Sequence, residues 1–230
     1  MSGPDPIPPG RISVIIPTLQ EERGLSAVLE RMPDGFHEVI VADGGSDDHT
    51  RAVARAHGCR VVLSTPGRGV QMNAGAARAR GDVLLFLHAD TVLPPDAVGR
   101  IHGALADTGQ VGGGFRLAID SDEPFLKLVS AATNLRARLT RVCYGDQAVF
   151  VRREVFERIG GFPELPLMED VAFGRRLKSH GGVALVDTAV HTSARRWERG
   201  NPLWVTFRNR VLVLLFMLGV SPQRLARWYR

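Results

Sequence analysis

Apolar positions along this chain follow two periods. Short unbroken apolar runs alternate with stretches where apolar residues recur every third or fourth position. Ile12 to Ile16 is a β-branched run that stops at Pro17, which predicts a strand. Glu21 to Met32 has helical spacing at Leu25, Val28 and Leu29. Glu38 to Ala42 reads as a second strand and leads into Asp43-Gly44-Gly45-Ser46-Asp47. Asp48 to His57 reads as a helix with Thr50, Val53 and Ala54 inward, Cys59 to Leu63 as a strand, and Val70 to Arg80 as an Ala-rich helix. Asp82 to Leu87 ends in Val83-Leu84-Leu85-Phe86-Leu87, with no polar alternation. Such a run predicts a strand covered on both faces. Strands alternating with helices of this length predict a parallel sheet joined by right-handed crossovers.

After Pro94-Pro95 the order changes. Asp96 to Ala106 reads as a helix, and Gly112-Gly113-Gly114 leads into a strand at Phe115 to Ile119. A helix at Phe125 to Thr140, a short strand at Gln147 to Val151 and a helix at Arg153 to Ile159 follow. Gly160-Gly161-Phe162-Pro163 is a turn, Glu169 to Ser179 a helix, and Val183 to Val186 and Ala189 to Thr192 two short strands. Leu203 to Val220 is largely apolar but interrupted by Arg208, Asn209 and Arg210. Its clean part, Val211 to Val220, is shorter than the roughly 20 residues a bilayer crossing takes. It fits a helix lying in a membrane interface, docked on its own domain, or in a homodimer contact.

Charge sharpens this picture. The chain of 230 residues carries a net +5, but Arg195 to Arg230 alone holds eight arginines against one acid, Glu198, so the remainder is slightly acidic. A basic end beside an apolar stretch predicts contact with an anion: a membrane surface or a diphosphate. Nucleic acid is not expected, because no aromatic-rich strand motif, zinc knuckle or helix-turn-helix pattern accompanies the charge. Cys59 and Cys143 form neither a disulfide framework nor a ligand-spaced pair. With no apolar core in Met1 to Gly10, a cytoplasmic location is expected, including the inner face of the cytoplasmic membrane.

The candidate chemistry gathers where the first four strands end. The segments are Pro17-Thr18-Leu19-Gln20-Glu21-Glu22, Asp43-Gly44-Gly45-Ser46, Gly67-Arg68-Gly69 with Gln71-Met72-Asn73, and His88-Ala89-Asp90. In a parallel sheet all four face one crevice. His88 and Asp90, two apart in an extended chain, project to the same side. Asp43 suits a base N–H, Arg68 a phosphate, and Asp90 a divalent cation that neutralises a diphosphate. Each segment alone is equally a turn or a surface charge; their order along the chain is the signal. In the second half, Tyr144-Gly145-Asp146-Gln147 precedes a strand and Met168-Glu169-Asp170 opens a helix, where acids also complement the helix dipole.

With these motifs the chain resembles a family 2 glycosyltransferase of the GT-A fold over roughly residues 11–196. That is an α/β, Rossmann-like, mostly parallel nucleotide-binding sheet flanked by helices, here with a C-terminal helical extension. The carrying residues are Val14-Ile15-Ile16-Pro17-Thr18-Leu19-Gln20-Glu21, Asp43-Gly44-Gly45-Ser46 and His88-Ala89-Asp90, where His88 replaces the first acid of an Asp-x-Asp. Gly67-Arg68-Gly69-x-Gln71-Met72-Asn73 and Leu85 to Thr91 further resemble a bacterial radical-SAM/selenodomain-associated subgroup linked to arsenosugar biosynthesis.

The resemblance implies inverting transfer of a hexose from a nucleotide sugar, UDP-linked, to a hydroxyl of a small-molecule or lipid acceptor. Pro17, Leu19, Glu21, Asp43 and Gly44 would surround the base and ribose, and Arg68 and His88 would complete the nucleotide site. Mg2+ or Mn2+ would sit on Asp90, with His88 or His191 as further ligands. Asp170 would be the base and Glu169 its alternative. Asp146, Gln147, Arg195, Arg196 and Trp197 would serve the acceptor or diphosphate. Thr192 stands where processive members have Gln, so processive synthesis is not expected. The implied organisation is a loose tail at 1–10, a domain at 11–200 divided into nucleotide-sugar (11–112) and acceptor (113–200) halves, and a basic-apolar helix at 201–230. Three rivals stand beside this reading. A nucleotidyltransferase would need a Gly-rich, Lys-bearing first loop, and a dehydrogenase a Gly-x-Gly-x-x-Gly after the first strand. A catalytically inactive nucleotide-sugar or membrane-surface binding module is favoured by His88.

Overall fold

A computed structural model describes residues 10–198 and 200–229, so all but the last residue of the expected N-terminal tail lies outside the described residues. Strands β1 (Ile12–Thr18), β2 (Glu38–Asp43), β3 (Arg60–Leu63) and β4 (Val83–Phe86) are parallel, in the order β3-β2-β1-β4. Helices α1 (Glu22–Leu29), α2 (Thr50–Ala56) and α3 (Arg68–Ala76) make the crossovers. The parallel sheet expected from the apolar runs is thus present.

Strand β4 shows why its sequence lacks alternation. Val83, Leu85 and Leu87 enter one apolar cluster with Ile12, Val14 and Ile16. Leu84 and Phe86 enter the other, with Ile15 and Ile40. Both faces are therefore core, and every position must be apolar. On the second face Phe162 stacks on Phe173 at 4.1 Å and meets Phe86 edge-on at 4.8 Å.

The sheet then changes direction. Strand β7 (Val149–Arg152) runs antiparallel to β4, and β6 (Gln110–Asp120) antiparallel to β7. Strand β8 (Gly182–Ser193) is parallel to β6, and β5 (Thr91–Val92) closes the far edge against β8. Helices α4 (Ala97–Leu105), α5 (Pro124–Thr140), α6 (Arg153–Ile159) and α7 (Glu169–Lys178) flank this half.

Several expectations need correction here. The two short strands near the end are one continuous β8, because pairing with β6 carries through an irregularity at Phe115/Arg116. The three glycines lie inside β6, not ahead of it. A Cβ on Gly112 would sit 2.5 Å from the Phe150 carbonyl, and one on Gly114 2.8 Å from Cys143 Cβ. The triplet lets β6 press against its neighbours. Gln147 belongs to a 3-10 turn (Gly145–Gln147) ahead of β7. The single helix expected at 201–230 is two pieces, α9 (Pro202–Met217) and α10 (Pro222–Tyr229), parted at Gly219, whose φ is 91°, and a short α8 (Arg195–Glu198) precedes them. Asn201 caps α9 by accepting from the backbone N–H of Leu203 and Trp204.

Gly112→Ala forces a methyl onto a backbone carbonyl and is expected to cost about 2 kcal/mol, lowering the thermal midpoint by roughly 4–8 °C. Gly99→Ala, on the open face of α4 with nothing within 4 Å, is expected to raise it slightly. Differential scanning calorimetry of both variants distinguishes the two; equal midpoints would contradict the close-approach account.

Candidate active site

The carboxyl ends of β1 and β2 lie side by side, with Thr18 paired to Asp43, and β4 ends beside β1. Around this rim is a cavity of about 330 Å³ bordered by Pro17, Leu19, Glu21, Gly67, Arg68, His88 and Asp90. Three of the four sequence-distant segments therefore converge on this cavity, and the fourth, Asp43 to Ser46, does not border it. Leu19 is 45% exposed at its edge, an apolar surface free to meet a ring.

Buried polar clamps hold these segments. Gln71, on α3, donates from Nε2 to the carbonyls of Thr18 (2.6 Å) and Ala42 (2.9 Å), tying α3 to the ends of β1 and β2. Asn73 makes a reciprocal pair with the backbone of Phe162, both bonds 2.9 Å. A Cβ on Gly69 would sit 2.6 Å from the Pro163 carbonyl. In the stretch from Gly67 to Asn73, Gln71, Asn73 and Gly69 are thus scaffold, and Arg68 is the residue delivered to the cavity.

Asp43 and Gly44 lie just behind the rim. The Asp43 side chain is fully buried. It accepts from the N–H of Gly45 (3.1 Å) and Ser46 (2.9 Å) and from the hydroxyls of Ser46 (2.6 Å) and Thr18 (3.2 Å). Gly44 packs on Gln71, and a Cβ there would lie 3.1 Å from the amide carbon. Ser46 in turn accepts from the N–H of Gln20, a residue in left-handed backbone at φ 56°.

A second cavity, about 190 Å³, opens on the other side of Arg68 and His88, which line both. Asp146, Glu169, Asp170, Tyr144 and Trp197 border it, with Val129, Thr133 and Arg136 from α5. Helix α9 roofs it through Thr206, Asn209, Arg210, Leu212 and Val213, and α10 adds Tyr229. Met168, in left-handed backbone at φ 70°, starts α7 and turns Glu169 and Asp170 inward. Asp170 accepts from the N–H of Gly145 (3.0 Å) and of Val171 (2.7 Å). Two backbone donors thereby fix its carboxylate. Gly145 separates Asp170 from His88: a Cβ there would be 2.7 Å from His88 Nε2 and 3.4 Å from Asp170 Oδ2.

Glu169 is only 5% exposed and stands 3.7 Å from Arg68 Nη1. Burial, and then the neighbouring Asp170 carboxylate, push its pKa up to about 7 despite Arg68. Arg136 is held by the Val142 carbonyl (2.8 Å) and Gln147 Oε1 (3.0 Å) while stacking 3.5 Å over the Tyr144 ring.

Other expected residues have distinct surroundings. Gln147 is fully buried and clamps Arg136, the Tyr144 N–H and the Phe115 carbonyl, so it borders neither cavity. Arg195 pairs with Glu21 at 3.4 Å. With His191 and Asp90 it lines an open cleft of about 650 Å³ beside the rim. Trp197 donates to Thr206 Oγ1 at 3.2 Å, joining α8 to the roof. The Arg196 side chain lies outside what is described.

Among the described residues, no cluster of three or more His, Cys, Asp or Glu side chains is arranged to hold a metal. Asp90, half-buried where the cavity meets the cleft, offers one carboxylate. That donor set suits a hard cation sharing its coordination with phosphate oxygens. Arg136, Arg210 and the roof were not anticipated as site components. An arginine on an amphipathic helix reads as a solvated charge; Arg136 on α5 reaches this cavity through its bonds to Val142 and Gln147, and Arg210 through the packing of α9 on α5.

The chain belongs to glycosyl transferase family 2, whose model matches residues 13–161. Among its relatives is a Mycobacterium bovis protein named as an uncharacterized glycosyltransferase, 38% identical over 80 residues, or 34% of this chain and 36% of that one. The chain spans about a third of the length of the first curated relatives it matches. In structure it is similar to a mannosyltransferase from Pyrobaculum calidifontis in complex with GDP-Man and Mn2+. There the TM-score is 0.68 at 19% identity, covering 96% of this chain and 68% of that one. It is also similar to glucosyl-3-phosphoglycerate synthase from Mycobacterium tuberculosis in complex with Mn2+, UDP and phosphoglyceric acid. That TM-score is 0.63 at 22% identity, covering 92% and 80%. These structural likenesses define the GT-A fold.

The raised Glu169 pKa fixes a sign. The folded protein keeps a proton that the unfolded chain releases near 4.5, so this contribution is whole below that pH and is lost as pH rises through about 7. Relative to Glu169→Gln, the native protein is expected to lose stability between those values, by at most about 1.4 kcal/mol per pH unit. Urea unfolding of both proteins across that range measures the difference. Parallel stability–pH curves would refute the shift.

Proposed function

We propose that the chain transfers a hexosyl group from a UDP-linked sugar to an acceptor hydroxyl, with inversion at the anomeric carbon. The supporting observation is the shared wall: Arg68 and His88 border both the rim cavity and the cavity that holds Asp170. A donor in the first and an acceptor in the second would meet there. The neighbours crystallised with Mn2+ and with UDP or GDP-Man favour this donor class and a divalent cation.

In this reading Leu19 and Pro17 receive the base, and Glu21 the ribose. Asp43 and Gly44 shape the loop beneath them. Arg68 meets the diphosphate charge. Mn2+ or Mg2+ on Asp90, when bound, supplies neutralising charge to the leaving diphosphate. The acceptor oxygen forms the new bond to the anomeric carbon as the bond to the diphosphate oxygen breaks. Asp170 takes the hydroxyl proton, and the nucleoside diphosphate leaves with the bond's electron pair. Asp170 suits the role better than Glu169, because Glu169 faces Arg68 and resists ionisation. Asp146 and Trp197 border the acceptor, and Arg195 positions Glu21.

Asp170→Asn is expected to keep UDP affinity within a few-fold while slowing sugar transfer by about 10²-fold or more. Asp90→Ala is expected to weaken Mn2+-dependent UDP binding at least tenfold. Titration calorimetry with UDP and Mn2+, beside UDP release from UDP-sugars over an acceptor panel, reads both. Full turnover by Asp170→Asn would remove it from the base role. UDP affinity untouched by Asp90→Ala would remove the metal from the donor site.

A further inference from the structure

Helix α9 is apolar on two opposite sides. Its inward side packs Leu212, with Leu225 of α10, against Met168 and Val171. Its outward side leaves Leu203, Trp204 and Phe207 each 60% exposed, Leu214 and Met217 each 56%, and Leu218 just beyond its end 72%. These positions form one stripe at helical spacing. Trp204 and Phe207 stand together, ring centroids 6.0 Å apart. A solvent-facing helix would carry polar residues there, so this face is built to be covered.

Charge selects what covers it. Residues 201–230 contain five arginines and no acid. Arg224 and Arg227 are exposed on α10 beside Trp228, itself 58% exposed. A two-fold contact with a second copy would set these cations against their own kind with no acid in the segment to answer them. The adjoining α5, joined to α9 by Arg210 and Thr133 at 3.2 Å, carries no acid and exposes Leu128, Leu135 and Leu139.

We propose that the outward face of α9, with α10, docks on an anionic phospholipid bilayer. At 16 residues α9 measures about 24 Å, short of a bilayer's hydrocarbon core, and no helix among the described residues is long and apolar enough to cross a membrane. The helix therefore lies in the interface plane. Tryptophans enter the headgroup region, and arginines meet lipid phosphates. Because the other side of α9 roofs the Asp170 cavity, docking sets that cavity at the lipid surface.

The test is co-sedimentation of the full chain with phosphatidylcholine vesicles, with and without phosphatidylglycerol. The protein is expected to pellet with the anionic vesicles and to be released by high salt. Phe207→Glu combined with Leu214→Glu, and separately Arg224→Glu combined with Arg227→Glu, should each lower partitioning by about tenfold or more. Neither pair borders a cavity, so UDP affinity and the thermal midpoint should hold, which separates this proposal from the donor assignment. Binding absent, or equal on neutral and anionic vesicles, would overturn it. So would a dimer in sedimentation equilibrium that Phe207→Glu dissociates in a protein that ignores vesicles, since the face would then belong to a second copy.

Discussion

Strand β4 lies between β1 and β7 with apolar clusters on both faces, so water reaches neither its edges nor its sides. No ionisable group is tolerated along its length without a partner. Polar chemistry must begin where the strand ends, and there His88 and Asp90 emerge. The same constraint acts on β1 and β2, whose ends carry Pro17 to Glu21 and the Asp43 loop. The site lies where the chain leaves the doubly covered part of the sheet.

Convergence alone does not hold loops still. The structure does this with buried amides and one carboxylate: Gln71 across two strand ends, Asn73 to Phe162, Gln147 among three partners, and Asp43 within its own turn. Each bonds backbone groups of the segments that meet at the rim and so ties them together. Gln71 and Asn73 anchor the helix that carries Arg68, while the N–H groups of Gly145 and Val171 hold Asp170.

The parallel half was legible from residue pattern because each β-α unit there is local, and periodicity reports local structure well. The second half was less so. β8 looked like two strands because pairing with β6, distant in sequence, carries it across Asp187 and Thr188. The glycine triplet looked like a lead-in because close approach to Phe150 and Cys143 leaves no periodic trace. Among site residues, the motif order found the rim, but motif membership did not separate side chains that border the cavity from those that build it. Asp43 and Gln147 are builders. Arg136 and the α9 roof had no signal in the pattern, since their role comes from helix docking.

Arginine is placed on three sides of the site, at Arg68 on the rim, Arg136 and Arg210 over the second cavity, and Arg195 on Glu21. The proposed donor site puts a diphosphate at the rim between Arg68 and Asp90. A crystal structure of the protein with UDP and Mn2+ is expected to show diphosphate density between those two side chains, with the cation on Asp90 and the uracil against Leu19. Nucleotide bound elsewhere, with that rim empty, would contradict it.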